Sequence, residues 1–156
     1  MDADWRSLKS PETYLGHHKA ENFVSPGGAA VNTRHLYSVP PRLRRNQWAL
    51  SGEWTVKAEA AALNAGSGRI AFRFHARDLH LIMGPAARGG AVSFRVLIDG
   101  QPPGAGHGSD SDEQGKGTVT EQRLYQLVRQ SGPITDRQFE IEFLESGVEA
   151  FAFTFG

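Results

Sequence analysis

The segment 110–121, DSDEQGKGTVTE, has the residue types and most of the spacing of a calcium-binding loop. Positions one, three, five and twelve of that spacing are occupied by Asp110, Asp112, Gln114 and Glu121. Oxygen ligands of this kind suit Ca²⁺. The preceding residues, GQPPGAGHGS, are rich in proline and glycine, which argues against the helix that an EF-hand requires. Two interpretations stay open: a calcium loop without helices, or a polar loop between strands.

A second set of candidate binding residues lies in and near the segment 69–80, where charged and imidazole side chains alternate with apolar ones. The set comprises Arg73, His75, Arg77, Asp78, His80 and, further along the chain, His107. Such groups can hold sugar hydroxyls or an acidic partner through charge-assisted hydrogen bonds. The alternative is the ordinary solvated face of an amphipathic strand.

The same residues raise the question of catalysis, because a histidine beside a carboxylate can act as a general base. A small hydrolase would need His75 or His107 within hydrogen-bond reach of Asp78 or Asp110. No nucleophile motif such as GxSxG accompanies these residues. We therefore expect that this chain is not an enzyme.

Aromatic side chains offer a third kind of site, since the C–H face of a sugar ring packs on an aromatic ring. Trp48 and Tyr125 are the candidates for such a platform, whereas Trp54 is expected in the core, where large aromatics mostly lie. A recognition module needs Trp48 or Tyr125 exposed beside polar groups, and a purely structural module does not.

Length and composition restrict the function classes. The 156 residues, 39% hydrophobic and 22% charged, are typical of one globular domain. The absence of cysteine excludes disulfides, thiol catalysis and zinc–thiolate sites. The zero net charge argues against nucleic-acid binding. No apolar run approaches the ~20 residues of a membrane span, and no signal peptide is visible, so we expect any export signal to lie outside this sequence.

Alternation of apolar and polar residues predicts strands from Trp48 onwards. The clearest strand is RIAFRFHA, with Ile70, Phe72 and Phe74 facing the core. Similar segments are LHLIM, AVSFRVLIDG, FEIEFL and VEAFAFTFG, while WALSGEWTV is expected to contain a Ser-Gly turn and RLYQLVRQ fits a helix or, in this context, better a strand. The sequence therefore predicts an all-β, antiparallel β-sandwich over residues 47–156, preceded by an irregular arm, 1–46, with one short strand near 33–37.

The order of segments GRIAFRFHARDLHLIMGP, FRVLIDG, RLYQLV, FEIEF and VEAFAFTFG resembles the galactose-binding-like jelly roll of carbohydrate-binding modules. Over residues 10–156 the chain also resembles the C-terminal region of DipZ-type thiol–disulfide exchange proteins. The segments that carry this resemblance are SPETYLGHHKAENF, NQWALSGEWTV, FRFHARDLHLIMGP, RLYQLVRQ and EAFAFTFG, with the His-Gly pair at position 107.

The DipZ-type resemblance implies a β-sandwich module that follows a thioredoxin-like domain in an extracytoplasmic, periplasmic protein. The redox chemistry of that family cannot be carried over, because this chain has no CxxC motif. Three hypotheses follow. The first is a non-catalytic recognition module for a glycan or cell-envelope partner. The second is a structural module that packs on the thioredoxin-like domain or on itself, and the third is a small hydrolase.

Overall fold

The computed structural model describes residues 4–156 and consists of antiparallel β-strands joined by loops. The strands are β1 Thr13–Tyr14, β2 Arg34–Tyr37, β3 Trp48–Val56, β4 Ala61–Leu63, β5 Gly68–Phe74, β6 Asp78–Pro85, β7 Val92–Ile98, β8 Lys116–Val119, β9 Arg123–Arg129, β10 Arg137–Phe143 and β11 Val148–Phe155. A single 3-10 turn, Gly104–Gly106, is the one helical element within these residues. The predicted all-β class is confirmed.

The strands form two layers that share β3. The layer that we name the back sheet has the order β8-β7-β10-β5-β3, and the front sheet has the order β3-β4-β11-β6-β9. Two arm strands join the front sheet: β1 pairs with β11 and β2 pairs with β3. This arrangement is the predicted β-sandwich, while the more specific jelly-roll topology stays a prediction.

The sequence WALSGEWTV forms one strand, so the Ser-Gly turn predicted within it is wrong. The first half of β3 pairs with β5 in the back sheet, from Trp48 opposite Phe72 to Ser51 opposite Arg69. The second half pairs with β2 and β4 in the front sheet. Gly52, at φ +99°, lies where the strand passes from one layer to the other. A glycine that permits a turn also permits this bend, which is why the sequence pattern misled us.

The core lies between the two layers and follows the predicted alternation. Ile70, Phe72 and Phe74 of β5 are fully buried, as are Trp54 and the inward side chains of β6, β7 and β10. The ambiguous segment RLYQLVRQ is strand β9, which pairs with β6 along its length. No helix in the described part of the chain is long and apolar enough to cross a membrane.

The N-terminal arm packs on both layers. It supplies the predicted short strand, β2, and a second one, β1, that the sequence analysis missed because two residues show no periodicity. Leu15 and Tyr37 enter the main core, and Leu43 covers Ala49 and Ala71 on the outer face of the back sheet. The boundary at residue 46 stays an interpretation of the sequence.

Candidate functional site

The calcium-like segment is fastened to both sheets. The amide of Asp110 donates to the carbonyl of Gln126 in β9, at 3.0 Å, and the carbonyl of Gly115 accepts from the amide of Val96 in β7, at 2.7 Å. The carboxylate of Asp112 accepts hydrogen bonds from two amides of its own turn. The segment therefore joins the edge of the front sheet to the back sheet.

The predicted calcium ligands do not converge. Asp110 makes a two-pronged ion pair with Arg123, at 2.9 and 3.1 Å, and accepts from the amide of Gln126 at 2.8 Å. Glu121 and Gln114 are exposed. Among residues 4–156, no group of three or more His, Asp or Glu side chains is placed to hold a metal ion. Calcium would have to displace Arg123 from Asp110, and calcium binding stays a prediction that titration with the ion tests.

The environment of Asp110 shifts its titration. Partial burial acts to raise the pKa of this carboxyl, but the hydrogen bonds from Arg123 and from the amide of Gln126 outweigh burial and hold the pKa below its usual value. Arg123 also lies over the ring of Tyr125, with its guanidinium carbon 3.9 Å from the ring centre. Asp110 is therefore an ionised carboxylate that orders the start of β9.

The polar set predicted around residues 73–80 does not form one cluster. Arg73 lies on β5 opposite Gln138 in the back sheet, whereas His80 lies on β6 opposite Gln126 in the front sheet. Consecutive strands enter different layers, so side chains close in sequence point to opposite faces of the sandwich. The structure therefore does not bring the whole set together, and ligand binding by its separate members stays a prediction.

The other members of that set have structural partners. Asp78 is buried and forms ion pairs with Arg77, at 3.0 Å, and Arg129, at 3.9 Å. The Nδ1 atom of His107 lies 2.7 Å from the carbonyl of Gly108, within the loop that runs along β9. These contacts hold the connections between strands in place.

The histidine–carboxylate pairs that a hydrolase would need are not formed. The carboxylate beside His75 belongs to Asp136, 2.7 Å away, and Arg45 binds the same oxygen at 2.9 Å. Burial acts to raise the pKa of Asp136, but the hydrogen bonds from His75 and Arg45 outweigh it and lower the pKa. The contact between His75 and Asp136 joins the ends of β5 and β10 across 61 residues of sequence, and Arg45 ties the arm to the same carboxylate across 91 residues. The sequence pattern gave no means to detect either contact.

The expected aromatic platform is also corrected, because Trp48 and Tyr125 are both 0% exposed. The indole N–H of Trp48 donates to the carbonyl of Glu21, and Phe23 of the arm packs on its ring at 4.7 Å. The hydroxyl of Tyr125 is bonded within the β8–β9 turn. Each ring has its polar atom satisfied inside the protein, so neither offers a face to a sugar.

A row of apolar side chains, exposed at its two ends and half-buried or buried between them, crosses the outer face of the front sheet, and the sequence analysis missed it. Cross-strand pairing places Tyr14 of β1 beside Ala152 of β11, Ala152 beside Ile82 of β6, and Ile82 beside Leu124 of β9. Phe151 joins this apolar row at the irregularity in β11. Tyr14 is 38% exposed and Leu124 is 39% exposed. Four strands from distant parts of the sequence contribute, so no local pattern reveals the row.

A polar row runs parallel to the apolar row, two residues along each strand. It consists of Gln126, His80 and Thr154, which are consecutive cross-strand neighbours on β9, β6 and β11. The Nδ1 atom of His80 lies 3.1 Å from the hydroxyl oxygen of Thr154. Burial lowers the pKa of His80, and nearby Asp78 offsets part of that shift. The three side chains of this polar row are therefore uncharged near neutral pH.

A groove opens at the Tyr14 end of the apolar row. Its volume is about 260 Å³, and its lining includes Tyr14, Ile82, Phe151, Lys19 and Glu59. The ammonium of Lys19 lies 5.3 Å from the centre of the Tyr14 ring, and the Tyr14 hydroxyl donates to Glu12. That hydrogen bond raises the pKa of Tyr14. An aromatic ring, apolar walls and a few polar groups at the rim are the usual features of a small-ligand site.

Comparison with known proteins identifies the family of this chain. Residues 10–156 match the family model described as Thioredoxin like C-terminal domain. Protein DipZ of Mycobacterium bovis is 31% identical to the chain over 97 residues, which are 62% of this chain and 13% of DipZ. Protein DipZ of Mycobacterium tuberculosis gives the same identity and coverage. The matched segment thus spans a small part of the length of these relatives.

Proposed function

Since this chain belongs to the family of thioredoxin-like C-terminal domains, we propose that it is the non-catalytic recognition module of an extracytoplasmic thiol–disulfide exchange protein. The similarity to DipZ supports this proposal, and the chain itself has no cysteine with which to exchange disulfides. The module would hold a glycan or a glycosylated cell-envelope partner near the thioredoxin-like domain of the parent protein.

The observation that carries the proposal is the exposed ring of Tyr14 in an apolar groove. The aromatic rings of the core are buried, whereas Tyr14 lies at the surface. Its ring lines two recesses: the groove that it shares with Ile82 and Phe151, and a second one lined by Glu12 and Asn22. A sugar can place its C–H face on such a ring while its hydroxyls bond to the polar rim. Trp48 and Tyr125 are buried and give the proposal no support, so the proposal rests on Tyr14 as the exposed aromatic ring that recognition of a sugar requires.

The experiment measures by calorimetry how tightly cell-envelope oligosaccharides bind the parent chain, Tyr14→Ala and Leu36→Ala. Leu36 is 74% exposed on β2 and lies outside the groove, so it controls for the loss of a surface apolar group. Removing the ring is expected to weaken binding about tenfold, equivalent to about 1.4 kcal/mol, whereas the control binds like the parent chain. Equal affinities for all three proteins would contradict the proposal.

The structural hypothesis is favoured by one different observation. The apolar row from Tyr14 to Leu124 crosses four strands and is exposed at both ends, and apolar surface of this kind often marks a protein interface. In this alternative the thioredoxin-like domain covers the row. Tyr14→Ala and Leu124→Ala would then weaken association with that domain, produced separately, and glycans would bind none of the proteins.

A further inference from the structure

The outer faces of the two sheets differ in charge. On the back sheet, Arg69 pairs with Glu140 and Glu142, at 3.3 and 3.1 Å, and Arg95 pairs with Glu142 at 3.4 Å. These side chains form a lattice of opposite charges that water solvates well. The front sheet has the ion pairs Arg34–Glu53 and Lys57–Glu149, but on β9, β6 and β11 it also carries the apolar row and the uncharged polar row. The front face thus offers hydrogen bonds and apolar contact to an uncharged ligand side by side on β9, β6 and β11.

The polar row can form hydrogen bonds with the hydroxyl groups of a ligand. An amide, an imidazole and a hydroxyl stand side by side on Gln126, His80 and Thr154, and each group contains both donor and acceptor capacity. The contact with Thr154 uses Nδ1 of His80, and Nε2 makes no hydrogen bond to any residue in the described region. Gln126 is exposed. Because successive residues on one face of a strand lie roughly 7 Å apart, a ligand can touch both rows at once.

Three carboxylates, on Glu12, Glu21 and Glu59, and one ammonium, on Lys19, line the groove and the second recess taken together. Glu12 and Glu59 line the two recesses beside Tyr14, with Lys19 between them. Nearby, Lys57 is paired with Glu149 at 3.0 Å and so contributes no net charge. An anionic ligand would meet this acidic excess, and like charges oppose binding.

We propose that the front face binds neutral oligosaccharides and discriminates against acidic ones, with the polar row reading the hydroxyls and the apolar row packing on the sugar rings. This inference rests on the proposed recognition function and gives its ligand class. The apolar row and the polar row both run across β9, β6 and β11, and strands lie about 4.8 Å apart, so a ligand of several sugar units can follow them.

The test titrates the protein with neutral oligosaccharides and with uronic-acid oligosaccharides of the same length, at low ionic strength. We expect the neutral set to bind at least tenfold more tightly. Thr154→Val is expected to weaken binding of the neutral set about threefold to tenfold, because it removes one hydroxyl while keeping the side-chain volume. Thr118→Val, on the exposed edge strand of the back sheet, is the matched control and keeps full affinity.

The outcomes separate this inference from the recognition function itself. Acidic oligosaccharides that bind as tightly as neutral ones would overturn the inference and leave a recognition module in place. Equal effects of Thr154→Val and Thr118→Val would overturn the role of the polar row. Failure of both sets to bind would overturn the recognition function and the inference together.

Discussion

At the residue scale, the side chains that attract most attention in the sequence are used to hold strands together. Tyr125 is an example: its hydroxyl accepts from the amides of Thr120 and Glu121, at 3.1 and 3.2 Å, and donates to the carbonyl of Glu121 at 2.6 Å. Three polar groups of the β8–β9 turn thus depend on one buried oxygen. A site for stacking a ligand would leave such a ring exposed.

We expect Tyr125→Phe to lower the free energy of unfolding by about 1–3 kcal/mol, because it leaves part-buried backbone groups unsatisfied. Urea denaturation measures the change. Tyr14→Phe is the matched control: its hydroxyl bonds only the exposed Glu12, so the expected change is within about 0.5 kcal/mol. Equal stability of the two variants would show that the turn does not depend on Tyr125.

Asp110 gives a prediction about pH. Its pKa is lower in the folded chain than its usual value, so its contribution to stability is fully present above the unfolded pKa, near 3.8. The contribution is lost as the pH falls from about that value through the folded pKa. We therefore expect Asp110→Asn to lower the free energy of unfolding at pH 7. At pH 3 the difference in free energy of unfolding between the variant and the parent chain is expected to be smaller.

Urea denaturation at both pH values checks the Asp110 prediction. Glu121→Gln is the control, because Glu121 contacts the same guanidinium, at 3.4 Å, but is exposed. It is expected to change stability little at either pH. A loss of stability for Asp110→Asn that stays the same at pH 3 would contradict an ion pair with Arg123 as the cause.

At the element scale, β3 decides the architecture, since it belongs to both sheets. Its bend at Gly52 has a positive φ, and a Cβ there would lie 3.0 Å from the Cα of Gly68. Gly52→Ala therefore combines backbone strain with a close approach to the neighbouring strand. We expect it to cost more than about 1 kcal/mol of stability.

Thermal unfolding of Gly52→Ala is compared with Gly28→Ala. Gly28 also has a positive φ, +71°, but an added Cβ would meet nothing within 4 Å. The control therefore reports backbone strain alone, and the difference between the two variants reports the crossing of β3 over β5. If the two substitutions lower the stability equally, the close approach of Gly52 to Gly68 makes no contribution to the effect of Gly52→Ala.

The strands themselves are predictable from the sequence, because burial on one face imposes a period of two on segments such as RIAFRFHA. Contacts between layers are not predictable in this way. His75 contacts Asp136, and Tyr14 comes to line one groove with Phe151 and Ile82, only after strands distant in sequence have paired. The calcium-like pattern of 110–121 shows the same limit, because its spacing gives no sign that Asp110 pairs with Arg123.

At the scale of the whole molecule, the outer faces of the two sheets differ in surface character. The back face is a charged lattice partly covered by the arm, and the front face combines an apolar row with an uncharged polar row. Under the proposed function, this module recognises a glycan partner of the parent protein. The central claim is therefore that ligand binding is confined to the front face.

The most direct measurement is the change in amide chemical shifts of the ¹⁵N-labelled chain on addition of neutral cell-envelope oligosaccharides. The account predicts saturable shifts at Tyr14, His80, Ile82 and Thr154, with none on the outer face of the back sheet. Shifts centred on Arg95 and Glu142, or no shifts at millimolar ligand, would contradict it.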